Sequence, residues 1–311
     1  MDRFGRPSRY GRGEHEVSDD AEVEAMGPDL EGELSRLFAS PGYQPPALPA
    51  VALKIMELSR RKQVEFDEVV RLLEQDPMLV AKVMARIQSA FYQSQSPVRT
   101  LKAAVVRLGV GGLRDLVLEV ALNLRVFRAP GLAGAMNVLR RHSLVTAHCA
   151  RIVCRYASIE GEYAFLVGLL HDVGIAAALV AVSDGKIAVD KSPAGVTALW
   201  KAIEESHESV SALVADLWKL PEELKLVLGN HHRLTVQGYA HPLIAALMVA
   251  EEWAGKVGAG LDGIEGLRTA IDVTPPALLA RAKSELRFGP AQEQCIEKDM
   301  AGLAAAIARG I

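Results

Sequence analysis

The sequence predicts an all-α protein, and three observations carry that expectation. Beyond Pro45, apolar residues recur three and four positions apart through most of the chain. Proline, glycine, aspartate and threonine fall where helices begin and end. No segment alternates polar and apolar residues for long enough to make a sheet, and no internal repeat suggests a solenoid.

The elements follow in chain order. Residues 1 to 35 are expected to form a disordered charged tail: Arg3, Arg6, Arg9 and Arg12 precede an acidic block with nine Asp or Glu between Glu14 and Glu33. From there Leu48, Val51, Ile55 and Leu58 mark one helix face, and Val69, Leu72 and Leu73 another. Asp76-Pro77 supplies an N-cap and a first-turn proline for a helix presenting Leu79, Val80, Val83, Met84 and Ile87. Thr100 caps a short helix that stops at Gly109, and an apolar helix runs from Leu113 to Phe127. Pro130-Gly131 is the best internal boundary. A long helix is then expected over 135–157, a shorter one over 162–171, and another after the Gly185 to Gly195 loop. Pro221 and Pro242 introduce helices 222–232 and 242–257, and Pro275-Pro276 opens a last amphipathic stretch. The expected organisation is a tail to 35, an N-terminal helical lobe over 36–130, a second lobe over 131–290 and a C-terminal helical tail over 291–311.

Bulk properties exclude several function classes. A chain of 311 residues, half of them hydrophobic and 23% charged, has the length and composition of a soluble globular protein. A net charge of -3 and a pI near 6.3 offer no global attraction to nucleic acid or anionic lipid. Cys149, Cys154 and Cys295 are odd in number and form no CxxC pair, which suits a reducing compartment and excludes a disulfide framework or zinc knuckle. The opening MDRFGRPSRYGRGE lacks the apolar segment of a secretory signal. The longest apolar run, Val173 to Val182, is about half of the ~20 residues a membrane span needs. A cytoplasmic location without membrane association is expected.

Five of the eight histidines fall at positions that imply convergence. His142 lies in line with Val138, Leu139, Val145 and Cys149 and is expected to point inward. His148 shares its stripe with Arg141, Arg151 and Arg155 and is expected to face solvent. His171-Asp172 ends the apolar run FLVGLL, where a helix terminus would present both side chains to one cavity. His207 aligns with Val210, Val214 and Trp218. His231 aligns with Leu224, Val227 and Leu228, and His232 follows it. Glu251 aligns with Ile244, Leu247 and Met248. Each feature alone has a bland explanation, such as a hydrogen-bonded core histidine or a helix-edge acid. Together they would bury many ionisable groups, which is costly unless something neutralises them. A divalent transition metal does so, and mixed imidazole and carboxylate ligation suits Fe, Mn, Zn, Co or Ni, as one or two ions, better than Ca.

The motifs LPAVALKIMELSRR, LLEQDPMLVAKVMARIQSAFY and SPVRTLKAAVVRLGVGGLRDLVLEV come first. They are followed by RRHSLVTAHCARIV, FLVGLLHDVG, SHESVSALVADLWKLPEELKLVLGNHH and PLIAALMVAEEWA. In this order they resemble the HDOD family, a branch of the HD metal-dependent phosphohydrolase superfamily found in bacterial signalling. The resemblance spans Pro45 to about Arg287. It implies an HD-superfamily helical domain of HDOD type, with metal ligands at His142, His171, Asp172, His207, His231, His232 and Glu251. In active relatives such ligands hold metals whose hydroxide attacks a phosphoester, and Asp172 would then be the catalytic residue.

This chain departs from the active pattern in three places. Ile175 stands where active phosphodiesterases carry a phosphate-pairing lysine. Glu251 stands in place of an aspartate, with Glu252 as a competitor for the role. Gly238-Tyr239-Ala240 lacks the proline of the cyclic-di-GMP signature. The resemblance therefore implies a non-catalytic signalling module whose pocket retains metal, the alternative being a phosphohydrolase acting on a nucleotide or cyclic dinucleotide. No sensor or receiver segment is expected beside the HDOD-like region, so input is expected from a signalling protein partner or a small nucleotide ligand. Arg140, Arg141, Arg151 and Arg155 would form the one basic face for nucleic acid. A solvated helix face explains them more simply, and nucleic acid is not an expected partner.

Overall fold

The computed structural model describes residues 29–61, 63–89, 92, 98–190, 192–264 and 274–308, and it is helical almost throughout. The tail expected over residues 1 to 28 lies outside the described residues. From Leu30 the expectation of disorder is corrected. Helix α1 (Leu30–Ala39) is capped by Asp29 and buries Leu34 and Phe38, because three apolar residues at helical spacing outweigh the charges around them.

The chain continues with α2 (Ala50–Ser59), α3 (Phe66–Leu73), α4 (Pro77–Ile87) and α5 (Leu101–Arg125), where α2, α3 and α4 pack on α5 while α1 packs away from them on the later helix Pro193–Leu217. The sequence signals act as expected. Asp76 accepts from the Leu79 amide at 3.0 Å with Pro77 in the first turn, and Thr100 accepts from Ala103 at 3.1 Å. Gly109, at φ 69° and ψ 174°, divides α5 into the two helices that its glycines imply.

The second half of α5 buries charges as well as apolar side chains. Leu113, Leu116, Val117, Ala121 and Leu122 are buried, yet Arg114, Asp115 and Glu119 are buried beside them. Their charges are matched locally. Arg114 contacts Asp115 at 2.8 Å and the Glu162 carbonyl at 2.7 Å, while Glu119 pairs with Arg86 and accepts from the Tyr92 hydroxyl at 2.8 Å.

After α5 come α6 (Ala133–Ala157), α7 (Ala164–Leu170), α8 (Val173–Ser183), α9 (Pro193–Leu217), α10 (Glu222–Leu228) and α11 (Pro242–Lys256). Beyond them come α12 (Pro276–Glu285) and α13 (Pro290–Ala308). A hairpin of β1 (Thr235–Val236) and β2 (Tyr239–Ala240), too short for any alternation to register, joins α10 to α11. Helix α6 is the axis: α7, α11 and α13 all pack on it, whereas α8, α10 and α1 pack on α9. The expected C-terminal tail is thus a docked helix, in which Asp299 pairs with Arg155 at 3.2 Å and Met300 meets Cys149. That pairing and the stacking of Arg151 over Phe165 occupy part of the basic face.

Gly168 lets α7 lie directly on α6. A Cβ there would sit 2.6 Å from the Ala147 Cα and N atoms. Through this close approach the apolar stretch from Ala164 to Ser183 becomes the protein interior. It is long and apolar enough by composition to cross a membrane, but 89% of it is buried within the fold. His171-Asp172 interrupts the stretch at the corner between α7 and α8, and its apolar character reflects core burial.

Candidate metal centre

All seven residues anticipated as ligands meet at the junction of α6, the α7–α8 corner, α9, the end of α10 and α11. His142 comes from α6, and His171 and Asp172 from the two residues between α7 and α8. His207 comes from α9, His231 and His232 from the turn after α10, and Glu251 from α11. His142, His171, Asp172, His207, His231 and Glu251 are buried, and His232 is half-buried.

The imidazoles are oriented by their own main chain. Nδ1 of His171 lies 2.9 Å from the Gly168 carbonyl, Nδ1 of His207 2.8 Å from that of Glu204, and Nδ1 of His231 2.8 Å from that of Leu228. Each partner is three residues earlier in the chain. His142 differs: its Nδ1 is 2.8 Å from the carbonyl of Ala259, which Gly258 at φ 76° brings back over the end of α11. A carbonyl oxygen only accepts, so each Nδ1 must carry the hydrogen. In the neutral ring that leaves Nε2 as a bare lone pair, the form in which histidine binds metals.

The four Nε2 atoms then converge on one carboxylate. Oδ2 of Asp172 lies 3.1 Å from Nε2 of His171 and 3.7 Å from that of His142, while Oδ1 lies 3.6 Å from His231 and 3.9 Å from His207. Glu251 Oε1 approaches His171 Nε2 at 3.5 Å, and His232 Nε2 approaches His207 Nε2 at 2.9 Å. Two compact donor groups result, His142 with His171 and Asp172, and His207 with His231 and His232. Asp172 stands between them with one oxygen turned to each.

Burial and the facing groups shift three members of the cluster, Asp172, His207 and His232. Burial alone would raise the Asp172 carboxyl, but His171, and then His231 and His207, hold it well below the usual carboxylate range. Burial lowers His207, and burial with the neighbouring His231 and His207 lowers His232 to about 3. Asp172 heads α8 without capping it, so neither oxygen is spent on a main-chain amide. Both oxygens and Nε2 of His231 are fully shielded from solvent with no well-aligned hydrogen bond. A buried carboxylate without a well-aligned hydrogen bond is costly as it stands, and a divalent cation would neutralise it. The donor set, five imidazoles with two carboxylates, fits a transition metal.

Two expectations are corrected. His148 does not face solvent: its ring packs edge-on against Phe165 at 5.2 Å and lies 6.0 Å from Tyr92, and burial pushes it well below the ordinary histidine range. Arg141, Arg151 and Arg155 of the same stripe are exposed as expected, while His148 itself is half-buried beneath Phe165 of α7. Glu252 does not compete with Glu251, because it pairs with Lys256 at 2.6 Å and Lys283 at 3.0 Å. Sequence reasoning missed Glu208, whose Oε1 accepts from the His232 amide at 3.0 Å; one position past His207, it carried no apolar-stripe signal.

Comparison with known proteins agrees with this architecture. The family model for the HDOD domain matches residues 46–234, which include six of the seven converging side chains and leave Glu251 outside. An uncharacterized protein of Treponema pallidum (strain Nichols) is 24% identical over 196 residues, covering 61% of this chain and 38% of that protein, so the chain spans well under half of that relative's length. Among solved structures, an HDOD domain protein of unknown function from Geobacter sulfurreducens is 23% identical with a TM-score of 0.62, over 90% of this chain and 98% of that one. A candidate metal-dependent phosphohydrolase from Shewanella amazonensis SB2B is 17% identical with a TM-score of 0.64, over 89% and 97% of the two chains. A candidate signal transduction protein from Marinobacter aquaeolei VT8 is 20% identical with a TM-score of 0.62, over 90% and 65%.

Proposed function

From the premise that the chain belongs to the HDOD family, we propose that it is a signal-transduction module whose histidine and carboxylate centre holds a transition metal as a buried, non-hydrolytic site. The observation that carries the reading is burial of the donors. Asp172, His171 and His231 are 0% exposed, so they face the protein interior and each other and not an open cleft through which a phosphoester would reach them. Ile175, where a phosphate-pairing lysine would serve hydrolysis, is itself a core residue. Bound metal would supply the positive charge that the cluster lacks. His142, His171, Asp172 and Glu251 would hold it on one side, and His207, His231 and His232 on the other, leaving room for one ion or two. The role of the centre is then to tie five helical elements into one arrangement, which a signalling protein partner or a small nucleotide recognises on the surface.

The alternative is a metal-dependent phosphohydrolase acting on a nucleotide or cyclic dinucleotide, in which Asp172 would be catalytic. It is favoured by one feature, the half-buried His232, through which the second donor group approaches solvent. A screen of phosphodiesters and phosphomonoesters with Mn(II) and Fe(II) separates the two. The module reading expects no turnover. Metal-dependent hydrolysis that disappears in His171→Ala and Asp172→Ala would establish the alternative.

A further inference from the structure

The corner between α7 and α8 is held by a side chain of a third helix. Helix α7 ends at Leu170 and α8 starts at Val173, so the carbonyl of His171 and the amide of Gly174 fall among the main-chain groups that a helix end leaves without an internal partner. Both are served by one atom. The Ser211 hydroxyl donates to the His171 carbonyl at 2.7 Å and accepts from the Gly174 amide at 2.9 Å. Ser211 is 0% exposed, so no water substitutes for it.

Two features make this contact more than helix packing. Ser211 lies one turn after His207 on α9 and faces the same way, and its partners flank Asp172 on either side. The approach is also as close as backbone allows, since a Cβ on Gly174 would lie 2.2 Å from the His207 carbonyl. The spacing between the His171-Asp172 pair and His207 is therefore set by a bifunctional hydroxyl seated against a glycine. Only a group that both donates and accepts can satisfy this corner.

We infer that Ser211 is a positioning residue of the metal centre: it fixes the distance and orientation of His171 and Asp172 relative to His207 without touching the metal. The inference rests on the reading that the centre binds metal. Partners of this kind typically alter metal affinity by roughly 10–100-fold when removed.

The test uses full-length wild type, Ser211→Ala and Ser211→Thr, stripped with a chelator and titrated with Co(II). The visible bands of bound cobalt, competition with a chelating indicator and the melting temperature of the metal-free forms are measured. Ser211→Ala is expected to bind cobalt roughly 10–100-fold more weakly with altered bands, while Ser211→Thr recovers most of the affinity. Wild type that binds no cobalt defeats the metal reading itself. Wild type that binds while Ser211→Ala binds equally well overturns the inference alone. A loss shared by both variants and proportional to the fall in metal-free melting temperature assigns Ser211 to packing and also overturns it. In wild type by itself, cobalt must slow hydrogen exchange at the Gly174 amide; unchanged exchange counts against the inference even where the alanine variant does not fold.

Discussion

His142 and His171 turn their Nε2 atoms toward each other at 3.1 Å, although each has already given its Nδ1 hydrogen to a main-chain carbonyl. Two imidazoles so arranged bring Nε2 against Nε2, a contact that a shared cation would resolve. The first prediction follows. Wild type incubated with Mn(II), Fe(II) or Zn(II) at a hundredfold excess over Kd should melt several degrees higher than the stripped protein, since ligand binding at that level is worth about 2.7 kcal/mol. His171→Ala should abolish the increase, as measured by calorimetry with and without metal.

The second concerns α6 and α7. Gly168→Ala places a methyl group 2.6 Å from the Ala147 backbone, which cannot retreat within a helix. The expected cost is about 1–3 kcal/mol. Because these helices carry His142 and lead into His171, metal affinity should fall as well. Urea unfolding and a metal titration on the same variant check both parts, and unchanged values in both would contradict the packing described.

The third concerns the buried charges of α5. Glu119 is almost inaccessible and answers both Arg86 and the Tyr92 hydroxyl. Glu119→Gln should destabilise the protein by about 1–3 kcal/mol by removing the charge that both Arg86 and the Tyr92 hydroxyl meet. Replacing both partners, Glu119→Leu with Arg86→Met, should cost less than Glu119→Gln alone. A double-mutant cycle in denaturant measures the difference.

The fourth is a pH dependence. Burial lowers His148, His207 and His232 below the ordinary value of 6.5, in the last case to about 3. A folded-state value below the unfolded one gives stability that is complete above pH 6.5 and is lost as pH falls toward 3, because the unfolded chain takes up protons that the folded chain refuses. Each such histidine contributes a slope of up to about 1.4 kcal/mol per pH unit in that window. Glu119 and Asp115, which burial raises, act in the opposite sense. His148→Phe isolates one contribution. The metal-free variant should lose less stability than wild type between pH 7.5 and 5.5, and an equal loss would place His148 in solvent after all.

How much of this was legible in the sequence depended on the range of the interaction. Helices with local signals, such as Asp76-Pro77 and Thr100, could be placed from a few residues. The convergence of the candidate site was legible because His142, His207, His231 and Glu251 sit on apolar stripes that point them inward, and His171-Asp172 and His232 stand at or beside helix ends. What could not be read were contacts whose partners give no sign of each other. Ser211 and Gly174 are 37 positions apart, and Arg86 and Glu119 are 33 apart. His148 was misjudged because a helical stripe reports only its own neighbours, and α6 is covered from further sides by α7 and α13. The start of α1 was hidden by its acidic surroundings, although Leu30, Leu34 and Phe38 carry the signal in retrospect.

Elemental analysis of the purified protein, joined to a chelator titration, tests the central claim most directly. The account predicts at least one Fe, Mn, Zn, Co or Ni ion bound per chain in wild type and close to none in Asp172→Ala, which loses the carboxylate lying between the two histidine groups. Wild type that binds none of these metals after incubation with each, and whose melting temperature none of them raises, would contradict it.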